Sequence, residues 1–159
     1  MTDELAAPRP LPAILVGGLV AGALDITYAC TWTWTHGRSP VGTLQSVASG
    51  VLGKAAFDGG AKTALLGLFF QFVIACGAAT VFYVASRFAP VLVRRAVLAG
   101  LLFGVCVFLV MSYVVVPASA APFKMTFTAA SAVRNVLVHM FLIGLPIALS
   151  VRRYAPANR

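Results

Sequence analysis

Four long apolar stretches, separated by short polar segments, dominate the pattern of residues along the chain. They cover about residues 11–34, 62–86, 96–116 and 127–151. A helix rises 1.5 Å per residue, so about 20 apolar residues cross the roughly 30 Å hydrocarbon layer of a bilayer. The pattern therefore predicts four transmembrane helices. No linker or low-complexity tract interrupts it, so we expect residues 1–159 to form a single domain.

The segment between the first two apolar stretches has a helical pattern of its own. Ser39 followed by Pro40 is a start signal for a helix over about residues 40–57. Its apolar positions recur at helical spacing and are Val41, Leu44, Val47 or Ala48, Val51 and Leu52. The segment is too short and polar for a span, so we expect an amphipathic helix, either interfacial or re-entrant. The predicted fold class is thus an all-α integral membrane protein with four transmembrane helices and one such extra helix.

The composition agrees with a membrane environment. Hydrophobic residues make up 60% of the chain and charged residues 10%, whereas a soluble domain carries about 25% charged residues. The formal net charge is +8, but the basic residues stand singly or in pairs at the ends of the apolar stretches. That arrangement suits lipid headgroups, so we expect the bilayer as a partner and no nucleic acid.

The distribution of basic residues predicts the orientation of the chain. Seven of the 12 Lys and Arg residues lie at the termini or between the second and third spans: Arg9, Arg87, Arg94, Arg95, Arg152, Arg153 and Arg159. The others are Arg38, Lys54, Lys62, Lys124 and Arg134, the last within the fourth span. Because cytoplasmic loops carry an excess of Lys and Arg, both termini are predicted to be cytoplasmic.

Small residues predict where the helices pack against each other. Membrane helices associate through close packing and hydrogen bonds, which small residues permit. Gly18 and Gly22 are four residues apart in the first span, as are Gly100 and Gly104 in the third. We expect these four glycines to lie at helix–helix contacts.

The most informative residue is Asp25, because an ionisable group at bilayer depth costs about 2.5–3.5 kcal/mol unless it is paired or hydrated. It continues a face of the first helix formed by Gly18, Gly22, Ala29 and Trp32. Counting helical rise from the span ends places Gln71 and Arg134 in the same layer. The predicted polar layer also includes Asn135, beside these residues, and His139, slightly deeper: Asp25, Gln71, Arg134, Asn135 and His139.

Two interpretations of this layer remain open. In the first, Asp25 and Arg134 form a buried ion pair that fixes helix register, and the protein is a structural or accessory membrane subunit. In the second, the same groups line a wet cavity for a small solute, an ion or a proton, in a protein that forms a homo-oligomer or joins a larger complex.

A membrane enzyme that handles lipids is a third hypothesis, without a motif to support it. The sequences HExxH, GxSxG and the Walker loop are absent, and so is a nucleotide-binding glycine fingerprint. The histidines and cysteines lack the spacing of metal or haem ligands. We therefore expect no catalytic residues, no cofactor and no metal.

One part of the chain resembles a known group of proteins. The run GTLQSVASGVLGKAAF at residues 42–57, with Gly59 and Gly60, follows the helix that carries Asp25. In this arrangement it is similar to small four-helix bacterial inner-membrane proteins without an established activity. The resemblance covers roughly the first 85 residues. It implies a bacterial inner membrane and this topology, and it carries over no catalytic residue.

Overall fold

The computed structural model describes residues 9–154, which form helices and no β-strand. In chain order the helices are α1 (Pro10–Thr35), α2 (Pro40–Leu52), α3 (Gly60–Phe88), α4 (Ala96–Ala118) and α5 (Ala129–Tyr154). A 3₁₀ segment, Gly53–Phe57, follows α2, and a short turn of helix, Val91–Arg94, precedes α4. The helices α1, α3, α4 and α5 are long and apolar enough to cross a membrane, which confirms the prediction of four helices of that kind.

The predicted glycines lie at two antiparallel helix contacts. A Cβ atom at Gly18 would lie 2.6–2.9 Å from atoms of Cys76, and one at Gly22 would meet Phe72, so α1 packs directly on α3. In the same way Gly100 and Gly104 bring α4 against the backbone of α5. Only glycine leaves room for these backbones to approach so closely.

Contacts between α1 and α5 fix their relative register. Near the start of α1, the Ser150 hydroxyl donates a hydrogen bond to the Ala13 carbonyl over 2.9 Å. Near its end, the guanidinium of Arg134 lies 4.0 Å from the ring centroid of Trp32. The two helices therefore run antiparallel, and Trp32 and Arg134 lie at one level.

Two of the spanning helices contain π-helical turns, at Met111–Val115 in α4 and His139–Gly144 in α5. A proline follows each turn. Because proline has no backbone N–H, the carbonyl four residues earlier receives no helical hydrogen bond from it. For Pro117 that carbonyl belongs to Tyr113, and for Pro146 it belongs to Leu142. Both carbonyls lie inside the π-helical turns, so the prolines give a physical reason for them.

The short helix α2 packs against α1, α3 and the segment after α4. The Thr33 and Thr43 hydroxyls are 2.7 Å apart, the Gln45 amide donates to the Gly60 carbonyl over 3.1 Å, and the amide of Ala120 donates to the Gly50 carbonyl over 2.9 Å. The helix ends at Leu52, and the next residue is Gly53, whose φ of +60° favours glycine. The sequence predicts that this helix continues to about residue 57, and in the structure the last part of that range is the 3₁₀ segment Gly53–Phe57.

The predicted amphipathic character of α2 is not confirmed. Its buried residues are Gln45, Ala48 and Ser49, whereas Val51 is 63% exposed and Val41 45% exposed. Gln45 faces α3 because its amide donates to the Gly60 carbonyl, and the Ser49 hydroxyl donates to the Ser46 carbonyl within α2. Of the apolar residues of α2 only Ala48 is fully buried, and Val41 and Val51 lie on the outer surface, so the buried face is mostly polar.

The tightly packed core lies in the half of the bundle that contains the start of α1 and the end of α5. Its largest fully buried side chains include Phe82, Ile147 and Val151, which join Ala13 and Val93 in one cluster. The opposite half, near α2, contains cavities instead. This uneven packing positions the candidate site.

Candidate functional site

A cleft of about 710 Å³ lies between α1, α2 and α5. It extends from Asp25 within α1 to the loop residues Arg38 and Ser39 and to Phe123, so its mouth is at the α1–α2 end of the bundle. Much of its wall surface is apolar or aromatic, and polar side chains from α1, α2, α5 and the loop between α1 and α2 also line it. Its size falls in the range of small-molecule sites, about 300–1,000 Å³.

A second cavity of about 180 Å³ lies on the other side of Asp25. Gln71 from α3 and Ser112 from the π-helical turn of α4 contribute to its wall, together with apolar residues. Asp25, Asn135 and His139 line both the cleft and this inner cavity. These three side chains therefore stand at the boundary between the two spaces.

Asp25 accepts a hydrogen bond from the side-chain amide of Gln71 over 2.8 Å. The pairing follows from the packing of α1 on α3, because Gly22 lets the helices approach one turn away from Asp25. Asp25 is half-buried, and it also faces both cavities. One carboxylate oxygen thus holds the helix contact, and the group still borders the space where a ligand could reach it.

Arg134 lies on Trp32 and forms no ion pair with Asp25 within 4.0 Å, contrary to the expected buried pair. The register explains this. Trp32 is seven residues beyond Asp25 on α1, which is about 10 Å of helical rise, so Arg134 lies that much nearer the mouth. His36 stacks on Trp32 with ring centroids 4.1 Å apart.

His139 lies at the depth of Asp25 and is oriented by its own helix. Its Nδ1 is 2.8 Å from the carbonyl oxygen of Asn135. A carbonyl only accepts, so Nδ1 carries the proton of this bond, and in the neutral ring Nε2 is left as an acceptor. The edge of Phe108 packs on the ring, with centroids 5.5 Å apart. The side-chain amide of Asn135 bonds to no group in residues 9–154 and lines both cavities.

The structure thus brings the five predicted polar residues around two adjoining cavities. Gln71 and His139 lie at the level of Asp25, Arg134 lies toward the mouth, and Asn135 lies between these levels because it follows Arg134 directly in α5. Sequence reasoning missed Tyr28, Thr43 and Ser46 in the wall of the cleft, and Ser112 in the inner cavity. Tyr28 was detectable, since it lies between Asp25 and Trp32 on one helical face. The residues from α2 and α4 carry no local signal.

Fold and site together define a helical protein that could cross the membrane four times, with a cleft at one end of the bundle. Comparison with protein-family models, with curated proteins and with solved structures finds no match for the chain.

The contact between Trp32 and Arg134 gives a first testable prediction. A double-mutant cycle with Trp32→Leu and Arg134→Met should show a coupling of about 0.5–2 kcal/mol in unfolding free energy, as expected for a cation over an indole. The same cycle with Trp34→Leu is the control, because Trp34 is 71% exposed and has no contact with Arg134. Equal couplings for Trp32 and Trp34 would contradict the contact.

Proposed function

We propose that this protein binds a small polar solute in the cleft, as the first step of a solute pathway in a membrane. The supporting observation is the convergence of Asp25, Asn135 and His139 at the base of a 710 Å³ cleft. Polar side chains at membrane depth are costly, so they mark ligand or ion pathways when they line a cavity. The packed core closes the other half of the bundle. Complete passage would require that half to open, in one chain or in an oligomer.

The charges along the cleft indicate which solutes suit it. Arg38 and Arg134 lie toward the mouth, and Asp25 lies at the base. The two charged levels in the wall, at Arg134 and Asp25, are about 10 Å apart along the helices. A zwitterion with its negative group toward the mouth and its positive group toward the base matches this field. The aromatic rings of Tyr28 and Trp32 would cover the apolar part of such a solute.

The proposed location is a bacterial inner membrane with both termini in the cytoplasm. In support, the end of the bundle opposite the cleft carries Arg87, Arg94, Arg95, Arg152 and Arg153. An excess of Arg at helix ends is typical of the cytoplasmic side. In this orientation the cleft would open to the periplasm, and the buried polar face of α2 favours a helix embedded beside the bundle over an interfacial lid.

A structural role is the second candidate, and the hydrogen bond between Asp25 and Gln71 favours it. Such a bond between spanning helices contributes on average about 0.6 kcal/mol and fixes their register. Arg134 does not take part in it, so a structural role would rest on Gln71 alone. A dry, closed cleft would support this candidate.

Thiol labelling tests whether the cleft contains water. In a variant with Cys30, Cys76 and Cys106 replaced by alanine, Asn135→Cys should react with a charged, membrane-impermeant thiol reagent. Leu137→Cys is the matched control, because Leu137 is two residues away and 46% exposed on the surface that would face lipid. We expect the cleft cysteine to react at least about ten times faster, since a charged reagent avoids hydrocarbon.

Equal or undetectable labelling at residues 135 and 137 would contradict the proposed function and favour the structural role. Circular dichroism of both variants is the control for folding. The side of the membrane from which the reagent reacts, in intact cells or inverted vesicles, tests the proposed orientation separately.

A further inference from the structure

A groove at the opposite end of the bundle combines three arginines with an apolar wall. The groove has a volume of about 390 Å³ and is lined by Arg94, Arg95 and Arg152, with Ala96, Val97, Leu98 and Leu101. It lies away from the cleft and shares no residue with it. It is therefore a separate feature, which the proposed function does not use.

The packing of α4 on α5 explains why the three arginines meet. A Cβ atom at Gly100 would lie 2.8 Å from the Cβ of Ala148, so these residues face each other across the antiparallel helices. Ala96 is one turn before Gly100, and Arg152 is one turn after Ala148. Ala96 and Arg152 thus lie at one level, and Arg94 and Arg95 directly precede Ala96. Two helices far apart in sequence supply a single basic cluster.

The local charges leave the cluster strongly positive. All three arginines are exposed. Within residues 9–154 the only carboxylate side chains are Asp25 and Asp58, which lie by the cleft and before α3. None of the three guanidiniums forms an ion pair in this part of the chain. A binding partner for the cluster must therefore carry negative charge.

The apolar wall distinguishes between anionic partners. Val97 and Leu98 are 51% and 53% exposed, on the outer surface of a helix that is apolar enough to span a membrane. A free phosphate would leave this wall uncovered. A phospholipid would place its phosphate against the arginines and an acyl chain along Val97 and Leu98. Basic pockets at the ends of membrane helices bind anionic lipid headgroups in this way.

We propose that this groove binds an anionic diacyl phospholipid, with Arg94, Arg95 and Arg152 around the headgroup phosphate. The site requires neither a ligand in the cleft nor water there. Each arginine near an anionic headgroup contributes roughly a fivefold gain in affinity, so the three together contribute on the order of 100-fold.

The test titrates short-chain phosphatidylglycerol into the protein purified in a neutral detergent and follows thermal unfolding. We expect this lipid to raise the unfolding temperature, and short-chain phosphatidylcholine to have a much smaller effect. Glycerol 1-phosphate should have little effect at the same concentration. A triple variant should weaken the affinity for this lipid on the order of 100-fold. Its substitutions are Arg94→Gln, Arg95→Gln and Arg152→Gln.

The matched control is Lys54→Gln with Lys62→Gln and Lys124→Gln, which removes the same charge from exposed residues outside the groove. This variant should keep the affinity of the unchanged protein. Equal loss in both triple variants would show a general charge effect and overturn the proposal. So would glycerol 1-phosphate acting as strongly as the lipid. If the arginine triple variant does not fold, Arg152→Gln alone should weaken binding roughly fivefold.

Discussion

A leucine at Gly104 is expected to destabilise the bundle by about 3 kcal/mol or more. A side chain at this position would collide with the backbone of His139 and Met140, which belong to α5. Backbone atoms cannot move aside as a flexible side chain can, so the two helices would have to separate. Thermal unfolding of the purified protein in detergent would measure the loss. Gly144→Leu should act similarly, since a Cβ there meets α4.

Gly77→Leu provides the matched control for this prediction. Gly77 lies within the spanning helix α3, and a Cβ atom there has no neighbour within 4 Å. The substitution should be neutral or slightly stabilising, because glycine inside a helix is itself unfavourable. If Gly104→Leu and Gly77→Leu unfolded at the same temperature, the close contact of α4 and α5 would be wrong.

Asp25→Asn is expected to weaken binding of a zwitterionic solute at least about tenfold while the protein stays folded. The asparagine oxygen still accepts the hydrogen bond from Gln71, so the unfolding free energy should change by less than about 1 kcal/mol. The negative charge at the base of the cleft is lost, and a hydrogen bond to a charged group contributes about 1.5–3 kcal/mol. Calorimetric titration with 6-aminohexanoate as the probe would measure the affinity.

Asp58→Asn is the control for this substitution, since Asp58 is the other carboxylate in residues 9–154 and does not line the cleft. It should leave the affinity unchanged. Hexanoate, which lacks the ammonium group, should bind the unchanged protein more weakly than the zwitterion. Unchanged binding by Asp25→Asn would contradict the role of Asp25, and a large loss of stability in this variant would favour the structural candidate instead.

Part of the candidate site could be predicted from the sequence. Gln71, Asn135 and His139 line the same inner cavity as Asp25 because polar side chains in apolar spans turn toward the bundle interior. The expected ion pair of Asp25 with Arg134 was wrong. Counting helical rise from uncertain span ends cannot resolve two turns of helix, and the partner of Arg134 is Trp32.

The helix α2 shows a second limit. Ser39 and Pro40 predict where it begins, and the chain does turn helical there. Its apolar spacing, however, does not predict which face is buried. Gln45 turns inward because it bonds to the start of α3, and Gly67 of α3 leaves room for the α2 backbone. Those partners are distant in sequence.

The sequence alone determined the four helices that are long and apolar enough to span a membrane, their approximate bounds and the polar residues within them. These features depend on local composition and on the length of apolar helix that a bilayer requires. Only the tertiary structure decided the register of α1 against α5, the position of Arg134 on Trp32 and the presence of a cleft. Register depends on how side chains from distant segments fit together, and in lipid that fit is what brings helices into contact.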